Sequence, residues 1–210
     1  VLWWRLPRSE GKASRAAGDS LRTVLGHMKK VIPYVVGMLL CRAFMVGAVT
    51  TFLPTFFYTE GHTLWLAGAA LSVVEFAGVG GALVAGTLSD RFGRRPVLVV
   101  VAVIAPLAML AMLAFEGPLL VAALLVLGFS LLSSGPVLIA VMLENAGENR
   151  STGNGLYMAF SFTVRALLIL AVGAMSDAWG MRPTFTLCAF LGFLGIPFAM
   201  FVPNRPPSRA

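Results

Sequence analysis

Three ionisable side chains stand in the middle of long apolar runs: Arg42, Glu75 and Arg165. At the centre of a membrane-spanning helix each such charge costs at least about 2.5–3.5 kcal/mol, so it persists where it faces protein or water, pairs with another charge, or holds a ligand. Two guanidiniums and one carboxyl allow two kinds of chemistry. In the first, Glu75 forms an ion pair with Arg42 or Arg165 and ties helices together. In the second, Glu75 carries a proton while the arginines hold an anionic group of a small-molecule substrate. Burial favours the neutral form of a carboxylic acid and a nearby arginine the charged form. Proton occupancy would then follow the movement of the arginines, which is a coupling mechanism. Two positive charges against one negative favour an anion.

A second cluster lies in "GTLSDRFGRRP", Gly86 to Pro96, where Asp90, Arg91, Arg94 and Arg95 fall within six residues between very apolar runs. The stretch is echoed 87 residues later by "GAMSDAWGMRP", in which Gly173, Asp177, Gly180 and Arg182 stand where Gly86, Asp90, Gly93 and Arg95 stood. Subtracting the same offset from Arg165 lands on Gly78, one helical turn after Glu75. The charges therefore occupy neighbouring turns of equivalent helices and are expected to face a common space.

The elements that must position these groups follow from composition. The chain is 58% hydrophobic and 12% charged, with a mean hydropathy of +0.87; an ordinary soluble domain has about a quarter of its residues charged. A helix needs about 20 apolar residues to cross a bilayer core. Six runs qualify, at Val31 to Phe57, Leu64 to Leu88, Val97 to Phe115, Pro118 to Leu143, Gly155 to Ser176 and Thr184 to Val202. Each is expected to be helical, because backbone amides in hydrocarbon need internal partners and no barrel-like alternation is present. The fold class is thus all-α, a polytopic membrane protein of six spans. Three spans separate the two echoed turns, so the spans form an inverted 3+3 repeat.

Charge placement sets the topology. Thirteen of the sixteen basic residues lie before the first span, at Arg91, Arg94 and Arg95, at Arg150, and after the sixth span. The intervening connections hold only Arg182, and Arg42 and Arg165 lie within spans. Under the positive-inside rule both termini are cytoplasmic. The net charge of +7 therefore speaks of a lipid bilayer and not of nucleic acid. Residues 1–30 read as the end of a preceding helix, "VLWWRLPRSE", and a basic linker. In that linker Leu21, Val24, Leu25 and Met28 share a helical face, either along the inner leaflet or leading into the first span. Residues 31–203 form the bundle and 204–210 a tail.

The third and sixth spans contain no charge and are expected to face lipid, the other four a cavity. Small residues at Gly78, Gly80 and Gly81 let helices approach closely, and Pro136 should kink the fourth span. Glu144, Glu148 and Arg150 read as a solvated turn. Cys41, Cys188, His27 and His62 are too dispersed for a disulfide or a metal. Neither a cofactor nor enzymatic activity is expected.

Gly86, Asp90, Arg91, Gly93, Arg94 and Arg95 resemble the Gly-x-x-x-Asp-Arg-x-Gly-Arg-Arg signature of the major facilitator superfamily. The resemblance implies spans seven to twelve of a twelve-helix transporter whose N-terminal six-helix half is absent. It implies secondary transport of a small solute, with protons as a partner. It also implies that Asp90 latches onto a helix start in the other half, with Arg91 and Arg94 orienting it and Arg95 toward lipid headgroups. Asn154 and Gly155 would receive the corresponding acid from that half. "TFLPTFFYTEGHTLWLAGAALSVVEFAGVGGALVAGTLSDRFGRRPVL" and "LENAGENRSTGNGLYMAFSF" are similar to the fosmidomycin-resistance-like branch, which implies drug or organic-anion efflux across a bacterial inner membrane, the alternatives being a nutrient or organic-anion uptake symporter and a six-helix membrane scaffold without transport activity.

Overall fold

The computed structural model describes residues 26, 29, 31–146 and 149–202. The basic linker with its apolar face, His27, Glu148 and the C-terminal tail lie outside the described residues. Six helices are long and apolar enough to cross a membrane: Ile32–Thr59, Leu64–Phe92, Arg94–Ala114, Gly117–Asn145, Arg150–Trp179 and Met181–Phe201. These are the first to sixth spans. The described residues contain no strand.

The helices run further into the charged connections than apolar runs alone indicate. In "GTLSDRFGRRP" the turn is a single residue. The second span continues through Phe92, the third begins at Arg94, and Gly93 alone joins them at φ 96° and ψ 159°. Only glycine reaches that φ without strain. Gly180 joins the fifth and sixth spans in nearly the same conformation, φ 88° and ψ 164°. In both turns the glycine amide donates to a serine carbonyl four residues back, Ser89 at 3.0 Å and Ser176 at 2.9 Å. The sequence echo is therefore also a backbone echo. Helix packing repeats with it: the fourth span packs on the second and third as the first packs on the fifth and sixth, and the third and sixth pack on each other.

The second and fourth spans meet along glycines. A Cβ on Gly81 would strike the carbonyl oxygen of Phe129, and one on Gly128 that of Val74. In lipid such backbone approach replaces the hydrophobic drive that packs soluble helices. Gly128→Ala is expected to destabilise the bundle by about 1–3 kcal/mol, since neither backbone can yield freely. At Gly80 a Cβ meets open space, so Gly80→Ala should be neutral or slightly stabilising. Thermal unfolding of the two variants in detergent checks this contrast.

Two prolines shape the cavity-lining helices. Pro54 lacks an N–H, and its ring crowds the carbonyl of Thr50, four residues back. The first span absorbs this in one π-helical turn, Ala48–Phe52, a device that widens a helix locally. Pro136 lies inside the fourth span, which nevertheless continues to Asn145.

The third and sixth spans are the pair expected to face lipid. They do expose apolar side chains, Val100 and Leu107 on one and Phe190 and Leu194 on the other. The second and fifth spans, however, expose a broader face, including Phe76, Val79, Leu83, Phe162, Leu167 and Leu170. Charge content reports what one face of a helix tolerates. It does not report how much of the remaining circumference its neighbours cover.

Candidate functional site

A cavity of about 230 Å³ opens between the first, second, fourth and fifth spans, lined by Arg42, Thr50, Glu75, Leu132, Ser161 and Arg165, among others. Arg42, Glu75 and Arg165 thus border one space.

Helical periodicity builds each wall. On the first span Arg42, Val46 and Thr50 recur every four residues, and on the fifth Tyr157, Ser161 and Arg165 do the same. Residues four apart share a helix face. Arg42 Nε donates to the Leu131 carbonyl at 3.3 Å, which also accepts from Ser134 Oγ at 3.2 Å. Its guanidinium lies beside Gly135, where a Cβ would come within 3.5 Å of Nη2. Tyr157 donates its hydroxyl to the Gly135 carbonyl at 3.5 Å. The Leu131 carbonyl, with Ser134 and Gly135 beside it, therefore seats Arg42 in an otherwise apolar helix.

Arg165 Nη2 donates to Thr50 Oγ1 at 3.2 Å, while Thr50 gives its own proton to the Val46 carbonyl at 2.8 Å. The threonine hydroxyl, set at the π-helical turn, is thus oriented as an acceptor. The two arginines are near enough for their charges to repel. Among the described residues Glu75 forms no ion pair and no hydrogen bond with either of them, so the helix-tying ion pair is not formed. A guanidinium has five N–H donors. Each arginine uses one on the protein in the bonds above, leaving donors for an oxyanion in the cavity that Glu75 also lines.

The charged end of the bundle is organised by Arg94. Its Nη2 and Nε donate to Glu144 Oε1 at 2.7 and 3.0 Å, and its Nη1 reaches Asp90 Oδ1 at 2.5 Å. Nη1 also donates to Ser89 Oγ, which passes its own proton to the Gly86 carbonyl. Arg94 does orient Asp90, as the sequence implies. Arg91 does not: its guanidinium stacks 5.7 Å above the Phe92 ring. Glu144 belongs to this cluster and not to a solvated turn, because Arg94 reaches across from the third span to the fourth. The Asp90 side chain keeps 67% of its surface exposed, against 14% for Arg94.

At the opposite end the echo is incomplete. Asp177 is exposed, and Arg182 Nη2 caps the Leu113 carbonyl at 2.8 Å with its Nε 3.8 Å from Glu60. Met181 stands where the repeat would place Arg94, and Ser176 Oγ, the equivalent of Ser89 Oγ, is buried without a partner. A buried unpaired hydroxyl carries a desolvation penalty of about 1–3 kcal/mol. Ser176→Ala is therefore expected to preserve or raise the melting temperature, and Ser89→Ala to lower it, by roughly 1 kcal/mol of stability in each direction.

Sequence reasoning missed Thr50, Tyr157 and Ser161. The signal was present in the four-residue spacing from Arg42 and to Arg165, and in Pro54 four residues after Thr50.

The model of the Major Facilitator Superfamily matches residues 1–167 and 81–210, two overlapping matches that together take in the whole chain. The chain belongs to the Major Facilitator Superfamily. Within this superfamily it is 33% identical over 130 residues to the uncharacterized MFS-type transporter YfnC of Bacillus subtilis (strain 168), across 61% of this chain and 31% of YfnC. Its fold is similar to that of the MFS transporter FucP in the outward conformation, with a TM-score of 0.70 and 19% identity over 82% of this chain and 42% of FucP. It is also similar to a mutant of the peptide transporter POT in complex with alafosfalin, with a TM-score of 0.65 and 21% identity over 79% of this chain and 36% of POT. The chain therefore spans about a third of the length of the curated relative and less than half of each solved transporter.

Proposed function

We propose that this chain forms one six-helix half of a secondary transporter that moves a small organic anion in exchange for protons. One bundle would rock against another around the cavity between them. The observation that carries this reading is the cavity itself, in which two arginines with free donors and an unpaired carboxyl meet. Arg42 and Arg165 would bind the anionic group, and Glu75 would exchange a proton as the arginines engage or release it.

Two further features support a second bundle. The cavity volume is below the 300–1,000 Å³ or so typical of a small-molecule site, as suits a site with one wall still to be supplied. The broad apolar faces of the second and fifth spans, around Phe76, Leu83, Phe162 and Leu170, would be covered by that wall. The exposed Asp90 carboxylate would latch the other half by capping a helix N-terminus there, an interaction that stabilises an acid, and Asn154 and Gly155 would receive its counterpart. With both termini cytoplasmic and the membrane a bacterial inner membrane, the resemblance to the fosmidomycin-resistance-like branch favours efflux.

The test is flux of phosphonates and other organic anions into vesicles carrying the product of the complete reading frame, with and without a pH gradient. The expected result is accumulation driven by the gradient and lost in Glu75→Gln. Flux indifferent to the gradient, or a Glu75→Gln variant that remains coupled, would remove Glu75 from the mechanism.

A further inference from the structure

A larger cavity, about 590 Å³, lies outside the charged compartment, in a groove between the second, third and fourth spans. It runs from Phe92 and Pro96 at the Arg94 end to Ile104 and Leu125 near mid-bundle. Its only polar lining groups are Ser130 and Ser133, and both hydroxyls donate to carbonyls of their own helix, Ser130 to Val126 and Ser133 to Phe129. The interior thus offers nothing to a polar ligand. From Pro96 to Ile104 the groove follows the third span for eight residues, about 12 Å, close to the ~15 Å half-thickness of a bilayer core.

The mouth is different. Phe92 and Pro96 are flanked in sequence by Arg91 and Arg95, both exposed and without an ion pair among the described residues. Arg94 is turned away into Asp90 and Glu144. Asp90, Arg91, Arg94, Arg95 and Glu144 together carry a net charge of +1, and the two cations outside the ion pairs are the sequence neighbours of Phe92 and Pro96, with the Arg91 guanidinium 5.7 Å from the Phe92 ring. An apolar slot about one leaflet deep, with exposed arginines next in sequence to the residues at its mouth, matches a molecule with a hydrocarbon chain and a single phosphodiester charge.

We propose that the groove holds one acyl chain of an anionic phospholipid, with Arg91 and Arg95 on its phosphodiester. The chain supplies affinity through apolar burial, and the arginines supply selection for net negative charge. This site is separate from the transport cavity and does not depend on what that cavity carries.

A Phe92→Trp reporter, reconstituted in vesicles containing either phosphatidylglycerol or phosphatidylcholine with brominated chains, reads occupancy as quenching in excess of that of the parent protein. At low salt phosphatidylglycerol is expected to quench at a concentration about thirtyfold lower than phosphatidylcholine, given about 1 kcal/mol for each of two basic residues at an anionic surface. High salt should shrink that ratio by screening. Adding Arg91→Gln and Arg95→Gln is expected to equalise the two lipids while quenching by both persists, which also shows that the variant still folds. Val126→Phe, which narrows the slot, should weaken quenching by both. Equal quenching with the arginines intact would overturn the proposal, as it marks ordinary boundary lipid. So would a preference that survives the loss of both arginines.

Discussion

Arg42→Gln is expected to lower anion flux at least about a hundredfold, the equivalent of one or two charge-assisted hydrogen bonds at about 1.5–3 kcal/mol each. Arg42 Nε is occupied by the Leu131 carbonyl, and the groups left over face the cavity shared with Glu75 and Arg165. Glutamine retains a donor for Leu131 and removes the charge, so the loss should fall on substrate binding and not on folding. Arg42→Lys should recover only part of the flux, because an ammonium cannot offer a fork of parallel donors to an oxyanion while also holding the carbonyl. Flux measured beside thermal unfolding separates the two roles. An unfolding temperature near that of the parent with flux collapsed places Arg42 on the substrate, whereas matched losses leave it as a structural tie between the first and fourth spans.

Arg94→Gln is expected to produce the largest loss of stability, about 2–3 kcal/mol. Breaking a buried charge pair costs roughly 3–5 kcal/mol, and the Glu144 side chain is one-third exposed, so water recovers part of that. The substitution takes the Arg94 charge away from Glu144 and leaves the buried Ser89 hydroxyl without its donor. Adding Glu144→Gln should restore part of the loss, and the double-mutant coupling should be about 1–3 kcal/mol. Asp90→Asn should cost little by comparison, because an exposed pair four residues apart on a helix contributes about 0.3–0.5 kcal/mol. If Asp90→Asn nevertheless slows transport, the effect lies in what Asp90 meets beyond this bundle. Denaturation of the three variants in detergent supplies the numbers. Equal losses for Arg94→Gln and Asp90→Asn would contradict the assignment of Arg94 as the hub.

The spans were legible because bilayer thickness imposes a length on apolar runs, and the observed helices contain nearly all of each expected run. The meeting of Glu75 and Arg165 was legible too, through the 87-residue echo that set Arg165 opposite the turn after Glu75, and Arg42 was singled out only as a third charge within a span. Tertiary partners were not. Nothing local links Arg94 to Glu144, fifty residues away and drawn together only by packing of the third span on the fourth. A tight turn among these charges was legible, but not that Gly93 alone makes it, because a helix can carry charges past the bilayer without unwinding. The π-helical turn follows from Pro54, but whether a helix widens, kinks or breaks at proline depends on what its neighbours press against it. The exposed faces of the second and fifth spans depend on helix arrangement, which periodicity alone does not specify.

The central claim is that Arg42, Glu75 and Arg165 border one water-filled, anion-selecting compartment. Its most direct test is Ser161→Cys in a chain with Cys41 and Cys188 replaced, treated with an anionic sulfonate thiol reagent and with a neutral one of similar size. Electrostatic focusing in a charged cleft raises local anion concentration by tenfold or more, so the sulfonate is expected to react about tenfold faster relative to its solution rate, and Arg42→Gln to erase that advantage. A control at the exposed apolar position Leu107→Cys should react with neither. Failure of Ser161→Cys to react, or equal rates for both reagents with the arginines in place, would contradict the account.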